Sequence, residues 1–199
     1  MSEPIAQIQG ADSSKSHDGT IDRNPRDISL SALIREDFET HGRDFFSQGF
    51  WTLFWHRFGN LRMGIKPRAL RVPFSFTYRA MAKLAEWTTG INLPYTVLVG
   101  RRVKLEHFGG MILVADRIGN DVTIRQNTTF GIPSVHAPDA RPIIGDRVDI
   151  GAGVVIIGDI TVGDDVVIGA NAVVNKSLPA GVTAGGIPAR IVNQRMAAE

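Results

Sequence analysis

The chain has 199 residues, of which 43% are apolar and 21% are charged, and its formal net charge is +2. This length suits one globular domain or a solenoid with an appendage, and the small net charge excludes strong global attraction to nucleic acid. The absence of cysteine excludes disulfides, a cysteine nucleophile and thiolate metal sites. No stretch approaches the roughly 18 apolar residues of a membrane span, and the first residues lack the apolar segment of a secretory signal, so a cytoplasmic protein is expected.

Residues 1–28 are rich in serine, aspartate, glycine and glutamine and predict a flexible tail that includes His17. Residues 29–90 predict a helical region that begins near Ser29 or Ser31, because either serine can cap a helix. Aromatic residues then recur at helical spacing, which predicts a helix packed on a neighbouring helix or on the end of the following repeats: Phe46, Phe50, Phe54 and Phe58. A further helix is expected from about residue 74 to about residue 88, ending at Gly90.

The helical region also carries an excess of cations. No aspartate or glutamate occurs between Phe45 and Ala85, whereas arginine and lysine recur there: Arg57, Arg62, Lys66, Arg68, Arg71, Arg79 and Lys83. Basic helices rich in aromatic residues are typical of peripheral contact with an anionic membrane. The alternative is a solvated positive face, and both interpretations stay open here.

From residue 91 an aliphatic side chain returns at every sixth position, often followed by glycine. A step of six fits neither an amphipathic helix nor an alternating strand. It predicts a parallel β-helix in which three hexads close one triangular turn, so that residues eighteen apart stack. The stacked pairs should include Ile144 on Val162, Ile150 on Ile168 and Ile156 on Val174. We expect this domain to span residues 91–192, with a C-terminal tail at 193–199.

Two breaks interrupt the repeat. Seven residues rather than six separate Met111 from Ile118, which predicts a single-residue bulge near Asp116 or Arg117. A proline-rich segment at residues 131–143 predicts a loop that leaves one corner of the coil.

Only two histidines, His107 and His136, belong to the repeat region. His107 occupies a hexad position from which side chains leave the core, beside Glu106 and just before Gly109 and Gly110. His136 lies in the loop. An exposed histidine can exchange a proton near neutral pH, but a merely solvated side chain is the alternative in each case.

The run TGINLPYTVLVGRRVKLEHFGGMILVADRIGNDVTIRQNTTFG and the later run IGDRVDIGAGVVIIGDITVGDDVVIGANAVVNKSLPAGVTAGGIPARIV resemble a serine acetyltransferase-type hexapeptide transferase. The resemblance covers about residues 89–192. The helical segment RDFFSQGFWTLFWHRFGNLRMGI resembles the branch of exopolysaccharide or colanic-acid-type acetyltransferases. The resemblance implies a left-handed parallel β-helix with an N-terminal helical region, acetyl-CoA as the donor and no metal. It also implies a homotrimer, or a dimer of trimers, with active sites between adjacent subunits.

In this family, His107 matches the catalytic histidine, and Glu106 stands where serine acetyltransferases have an aspartate. A hydroxyl attacks a thioester slowly unless a base removes its proton, and general base catalysis typically contributes about 10²–10⁴-fold. Without cysteine, direct transfer in a ternary complex is expected rather than an acyl-enzyme.

The resemblance also marks where coenzyme A would lie, along a groove lined by small residues between two coils. Small residues suit an extended cofactor arm against the backbone, and the two cations near this path could meet phosphates. The matching residues are Gly151, Ala152, Gly169, Ala170, Lys176, Ala184, Gly185, Pro188 and Arg190.

The loop departs from the family pattern. Serine acetyltransferases end this loop in Arg-His-Pro, whereas the aligned residues here are Ala140 and Arg141 before Pro142. The acceptor-binding candidates in this loop are His136, Asp139 and Arg141. Because the loop departs from the family pattern, we expect the acceptor to be a hydroxyl of a sugar or polysaccharide precursor, with L-serine as the alternative.

Two other functional classes fit the sequence less well. A metal-dependent lyase on a coil of this type needs three histidines, more than the two that belong to the repeats. A non-catalytic scaffold fits the hexads but does not explain LEHFGG or the closing IPARIV. The sequence therefore predicts an enzyme of polysaccharide biosynthesis, in the cytoplasm or at the inner face of the membrane.

Overall fold

Three α-helices precede a column of short parallel strands in the computed structural model, which describes residues 19–107 and 109–194. The helices are α1 (Leu30–Thr40), α2 (Gln48–Leu61) and α3 (Arg68–Thr89), and a 3₁₀ turn at Arg62–Gly64 joins the last two. The predicted fold class, a β-helix with an N-terminal helical region, is confirmed. No helix among the described residues is both long enough and apolar enough to span a bilayer.

Serine caps set the starts of the first two helices. The Ser29 hydroxyl accepts a hydrogen bond from the backbone N–H of Ala32 at 3.3 Å, which decides between the two predicted caps. Ser47 caps α2 in the same way, so Phe46 precedes the helix and remains exposed instead of extending the aromatic stripe.

The third helix begins at residue 68, earlier than expected. It contains Pro73, which removes one backbone donor without ending the helix. The helix ends at Gly90, as predicted, because this glycine adopts a left-handed backbone conformation with φ of 70°.

The strands form three faces of a triangular coil. The first face contains β1 (Ile91–Asn92), β4 (Met111–Leu113), β7 (Thr129–Gly131), β10 (Val155–Ile157) and β13 (Val173–Val174). The second contains β2 (Leu98–Val99), β5 (Arg117–Ile118), β8 (Ile143–Ile144) and β11 (Thr161–Val162). The third contains β3 (Lys104–Glu106), β6 (Thr123–Arg125), β9 (Asp149–Ile150), β12 (Val167–Ile168), β14 (Val182–Gly185) and β15 (Arg190–Gln194). Only the pairing of β14 with β15 is antiparallel among the described strands.

The predicted stacking of the aliphatic hexads is confirmed. The register pairs Ile144 with Val162, Ile150 with Ile168 and Ile156 with Val174. These side chains are buried and form one continuous core through the coil. Burying each such side chain stabilises the fold by roughly 1.5–3 kcal/mol, so the repeat itself supplies much of the driving force.

The predicted bulge near Asp116 or Arg117 is wrong, because the extra residues lie earlier in the chain. Leu113, not Met111, pairs with Phe130. Met111 and Leu113 are both buried, since residues two apart on a strand share a face, so counting in sixes from Leu105 selects Met111 although Leu113 takes the stacked position. The surplus therefore falls between Leu105 and Leu113, which includes the corner that carries His107.

A ladder of acidic and amide side chains explains why Gly-Asp or Gly-Asn recurs between the second and third faces. Asp164 accepts a hydrogen bond from the backbone N–H of Asp146 at 2.8 Å, and Asp146 accepts one from Asn120 at 2.8 Å. The preceding glycine is needed because an added Cβ at Gly145 would lie 2.9 Å from the carbonyl carbon of Gly163.

A buried ion pair joins the helices to the first coil. The Arg57 guanidinium contacts the Asp37 carboxylate at 3.0 Å, and both side chains are almost completely buried. Arg57 also donates to the carbonyls of Val99 at 2.8 Å and Gly100 at 2.7 Å. These carbonyls belong to the outermost strand of the second face and the turn after it, so the pair occupies the open end of the coil.

Other polar side chains of the helices bind the same open end. His56 Nε2 donates to the carbonyl of Val97 at 3.1 Å, and the Asn60 amide donates to that of Tyr95 at 3.0 Å. His41 Nε2 accepts from the Leu105 N–H at 3.2 Å. The inner surface of α2 is therefore largely polar, because it satisfies backbone groups that have no further strand to pair with.

Within the predicted flexible tail, residues 19–28 lie against the folded domain. The Asn24 amide donates to the carbonyl of Arg57 at 3.0 Å. Arg101 forms ion pairs with Asp27 at 2.7 Å and with Glu36 at 2.5 Å. The rest of the predicted tail, with His17, and residues 195–199 lie outside the described residues.

Candidate active site

His107 lies at the corner that follows β3, with an exposed side chain and a backbone φ of 69°. The corners of higher coils place Asn127, Gly153 and Asn171 in the same left-handed region. Glycine adopts this conformation freely, and asparagine, aspartate and histidine are the other residues most often found in it. The positive φ is therefore a property shared by the corners of this edge, and His107 adopts it as Asn127 and Asn171 do.

The corners between the third and first faces stack directly above one another, beginning with the corner that carries His107. The carbonyl of Gln126 accepts from the N–H of Gly153 at 2.9 Å, and that of Ala152 accepts from Asn171 at 2.8 Å. We call this edge of the prism the histidine column. It runs upward from His107 through residues 126–127, 151–153, 169–171 and 185–186.

Glu106, which precedes His107, lies within a cluster of cations. Its carboxylate contacts Lys104 at 2.6 Å and Arg125 at 3.3 Å, and Arg125 also pairs with Asp149. The hydrogen bond from Lys104 holds the pKa of Glu106 below its ordinary value, and the charges of Lys104, Arg125 and His107 act in the same direction. The carboxylate therefore stays ionised at neutral pH.

Sequence reasoning missed Lys104 and Arg125. Arg125 stacks on Glu106 because β3 and β6 pair with an offset of nineteen residues. A strict eighteen-residue stack would have placed a different residue above the glutamate. The extra residues at the corner after β3 shift the register of the next coil, and counting them could have predicted the contact between Glu106 and Arg125.

Most of the predicted cofactor residues lie together near the top of the histidine column. Gly169 donates its N–H to the carbonyl of Ala184 at 2.8 Å, and Gly185 pairs in register with Arg190. An added Cβ at Gly151 would lie 2.6 Å from the backbone nitrogen of Ala170, whereas one at Gly185 would meet no atom within 4 Å. The column is therefore closely packed at Gly151 and open at Gly185.

The remaining cofactor candidates occupy different places. Pro188 lies exposed in the turn between β14 and β15, beside the top of the histidine column. Lys176 follows β13 on the first face, so it lies at another corner and is not brought together with the small residues.

The acceptor candidates lie in the loop between β7 and β8, at the corner between the first and second faces. His136 is exposed, and its backbone N–H donates to the Ser134 hydroxyl at 3.2 Å. Arg141 donates to the carbonyl of Pro138 at 3.0 Å, and the backbone carbonyl of Asp139 accepts from the N–H of Arg141 at 3.0 Å. Within one chain this loop and His107 occupy different corners of the prism.

Two cavities, of about 650 Å³ and about 290 Å³, lie among the helices, and His107 lines neither of them. In the described part of the chain, no three histidine, aspartate or glutamate side chains cluster as a metal site requires. His107 therefore lies at an exposed corner outside both cavities, at the foot of the histidine column.

Comparison with known proteins gives consistent results. The model of the family "Bacterial transferase hexapeptide (six repeats)" matches residues 141–176. A serine acetyltransferase from Helicobacter pylori is 40% identical over 122 residues, which are 61% of this chain and 71% of that protein. Soybean serine acetyltransferase complexed with serine is 28% identical with a TM-score of 0.67, over 82% of this chain and 70% of that chain. A serine acetyltransferase in complex with CoA is 26% identical with a TM-score of 0.66, over the same two shares.

Proposed function

Because the chain belongs to the serine acetyltransferase family and is an acetyltransferase that uses acetyl-CoA, we propose that it acetylates the hydroxyl of L-serine, with His107 as the general base. The observation that carries this proposal is the position of His107, exposed at the foot of the histidine column whose upper corners hold the predicted cofactor residues. The named relatives favour L-serine over the sugar acceptor that the loop sequence had suggested.

The proposed reaction transfers the acetyl group directly. The imidazole of His107 accepts the proton of the acceptor hydroxyl while the hydroxyl oxygen attacks the thioester carbonyl. The carbon–sulfur bond then breaks, the acetyl group stays on the acceptor oxygen, and the protonated imidazole returns a proton to the leaving thiolate. Glu106 remains ionised beside His107 and stabilises the imidazolium that forms.

The cofactor would lie along the histidine column. Its corners rise by roughly 4.8 Å per coil, so the four steps from β3 to β14 span about 19 Å. This length suits an extended arm whose thioester lies near His107. The opening at Gly185 and the cation of Arg190 would receive the opposite end of coenzyme A, whose phosphates are anionic.

A trimer would account for the division of candidate residues between two corners. His107 and the acceptor loop cannot meet within one prism, but a three-fold assembly places a corner of one subunit against its neighbour. We therefore propose a homotrimer, alone or paired as a dimer of trimers, with the loop of one subunit adjacent to His107 of the next. A cytoplasmic location is proposed on the basis of acetyl-CoA as donor.

A sugar or polysaccharide precursor is the second candidate acceptor. It is favoured by one observation, that Ala140 and Arg141 stand where the family has Arg-His. A site built to bind the amino acid would lose both an imidazole and a correctly placed guanidinium, and unpaired polar groups on a substrate are costly. The exopolysaccharide branch itself has no support among the named relatives.

An acceptor assay decides between the two candidates. Thiol release from acetyl-CoA is measured with L-serine and with a panel of saccharides and nucleotide sugars. Faster turnover with L-serine than with every saccharide supports the proposal, and the reverse order replaces it with the second candidate.

The role of His107 is tested with two substitutions. His107→Asn removes the base but suits the left-handed backbone, as Asn127 and Asn171 show, so it should fold normally while kcat falls by about 10²–10⁴-fold. His107→Ala should be equally inactive and less stable. Near-normal turnover in either variant would contradict the assignment.

A further inference from the structure

One side of α3 exposes a continuous apolar stripe. Val72, Phe76, Leu84 and Trp87 are 65%, 75%, 47% and 75% exposed. Because a helix turns about 100° per residue, these positions lie on one side of it, together with the exposed Ala80. We call this surface the outer face of α3.

The opposite side of α3 is the side that packs on the protein. Ala85 and Thr89 are its buried residues, and Tyr78 packs edge-on against Tyr95 at 5.5 Å. The outer face therefore is not part of the core of this chain. Large aromatic side chains exposed in a row usually mark an interaction surface.

The cations around this helix divide into two groups. Arg57 is buried against Asp37, and Arg62 lies 4.5 Å from the ring centres of both Tyr78 and Tyr95. Arg57 and Arg62 therefore stabilise the fold, and their guanidinium groups are not available to bind a partner.

The exposed cations border the outer face. Arg68 and Arg79 lie along one flank of the stripe. Lys83 lies within the stripe, near the same flank, and contacts Glu86 at 3.0 Å. No acidic residue occurs from residue 45 to residue 85. Glu86 is the one acidic residue of α3, so the outer face combines apolar side chains with an excess of positive charge.

We propose that the outer face of α3 docks on the surface of an anionic lipid bilayer. An amphipathic helix of this kind lies in the plane of the interface, with aromatic and aliphatic side chains among the acyl chains and its cations near the headgroups. A second copy of this chain is a poorer fit, because two such faces in contact would bring their exposed cations together with one acidic residue per helix, Glu86, which already pairs with Lys83.

Docking in this way would also place the candidate active site close to the bilayer. The carbonyl of Gly90, at the end of α3, accepts from the N–H of Met111 at 2.9 Å. An added Cβ at Gly90 would lie 3.3 Å from the carbonyl oxygen of Gly109. The helix that carries the outer face therefore ends against the corner that carries His107.

The test is co-sedimentation of the full chain with vesicles of phosphatidylcholine alone or mixed in equal parts with phosphatidylglycerol. Binding is expected only to the mixed vesicles and should weaken as salt is raised. Loss of one basic side chain near an anionic surface weakens binding roughly fivefold, so Arg79→Gln/Lys83→Gln should bind about 30-fold more weakly. Phe76→Ser/Trp87→Ser should abolish binding.

Matched controls remove an exposed cation and an exposed apolar side chain elsewhere. Arg35→Gln on α1 and Phe46→Ser, just before α2, should bind like the wild type. All variants should keep the melting temperature and the rate of acetyl transfer in solution, so failure here is distinguishable from failure of the proposed function. The proposal is wrong if the mixed vesicles are not bound, or if both double variants bind them normally. It is also wrong if Phe76→Ser/Trp87→Ser reduces the sedimenting mass of the assembly, since that identifies the face as a contact between copies.

Discussion

Acidification should destabilise the fold through His56, a completely buried residue of α2. Its Nε2 donates to the carbonyl of Val97, whereas Nδ1 has no hydrogen-bond partner among the described residues. The ring is therefore neutral in the folded protein. Burial first, and then the charge of Arg57, lower its pKa from 6.5 to about 3.

The size of the effect follows from the difference between the folded and unfolded chains. The unfolded chain takes up a proton as the pH falls through 6.5, and the folded chain does not until the pH is about 3. A depressed histidine pKa thus removes stability as the pH falls. Between about pH 7 and about pH 5 the loss is about 2 kcal/mol from His56 alone. Burial also lowers the pKa of His41, which adds to the loss in the same direction.

Urea denaturation at fixed protein concentration measures the effect, because an oligomer's apparent stability depends on concentration. The wild type is compared at the two pH values with His56→Gln, whose amide can still donate to the carbonyl of Val97 but cannot titrate. The variant should lose less stability on acidification, by about 2 kcal/mol. His136→Gln, which changes an exposed histidine of the loop, is the matched control. An equal acid dependence in the wild type and His56→Gln would refute the reasoning.

Two further substitutions test the coil. Arg57→Ala leaves the buried carboxylate of Asp37 and two backbone carbonyls without a partner. The free energy of unfolding, measured by urea denaturation, should therefore fall by about 3–5 kcal/mol. A loss below about 1 kcal/mol, the value typical of a surface ion pair, would contradict the role of Arg57 as a buried partner. Gly185→Val adds a side chain where no atom of the protein lies within 4 Å, so the melting temperature should stay unchanged. The same side chain would occupy the proposed cofactor path, so the KM for acetyl-CoA should rise. An unchanged KM would show that the cofactor binds elsewhere.

The coil was predictable because its period is a local property of the sequence. The Ile144, Ile150 and Ile156 series depends only on the identity of every sixth residue, and its register could be counted directly. The same counting failed between Met111 and Leu113, where two buried residues lie two apart and only pairing with Phe130 selects one of them. The hexad position of a residue can therefore be predicted from the sequence only where no residue is inserted into the repeat.

Contacts between distant parts of the chain were harder to predict. Arg57 looked like one of several surface cations, and its partner Asp37 lies twenty residues away on another helix. For the candidate site, His107 and Glu106 are adjacent in sequence and could be found together, whereas Arg125 reaches Glu106 only through strand pairing. The loop residues stay a prediction, because their role depends on how two subunits meet.

The polar side chains that α1 and α2 direct at the first coil have a consequence for how the protein behaves in concentrated solution. A stack of flat coils with open ends is a template for polymerisation, since each end could add the next chain by ordinary strand pairing. Arg57, His56 and His41 occupy the hydrogen-bonding positions that an incoming strand would need. At the far end, the antiparallel β15 covers β14. The chain thus terminates its own solenoid at the first coil and along one face of the last, which directs association to the sides of the prism rather than to its ends.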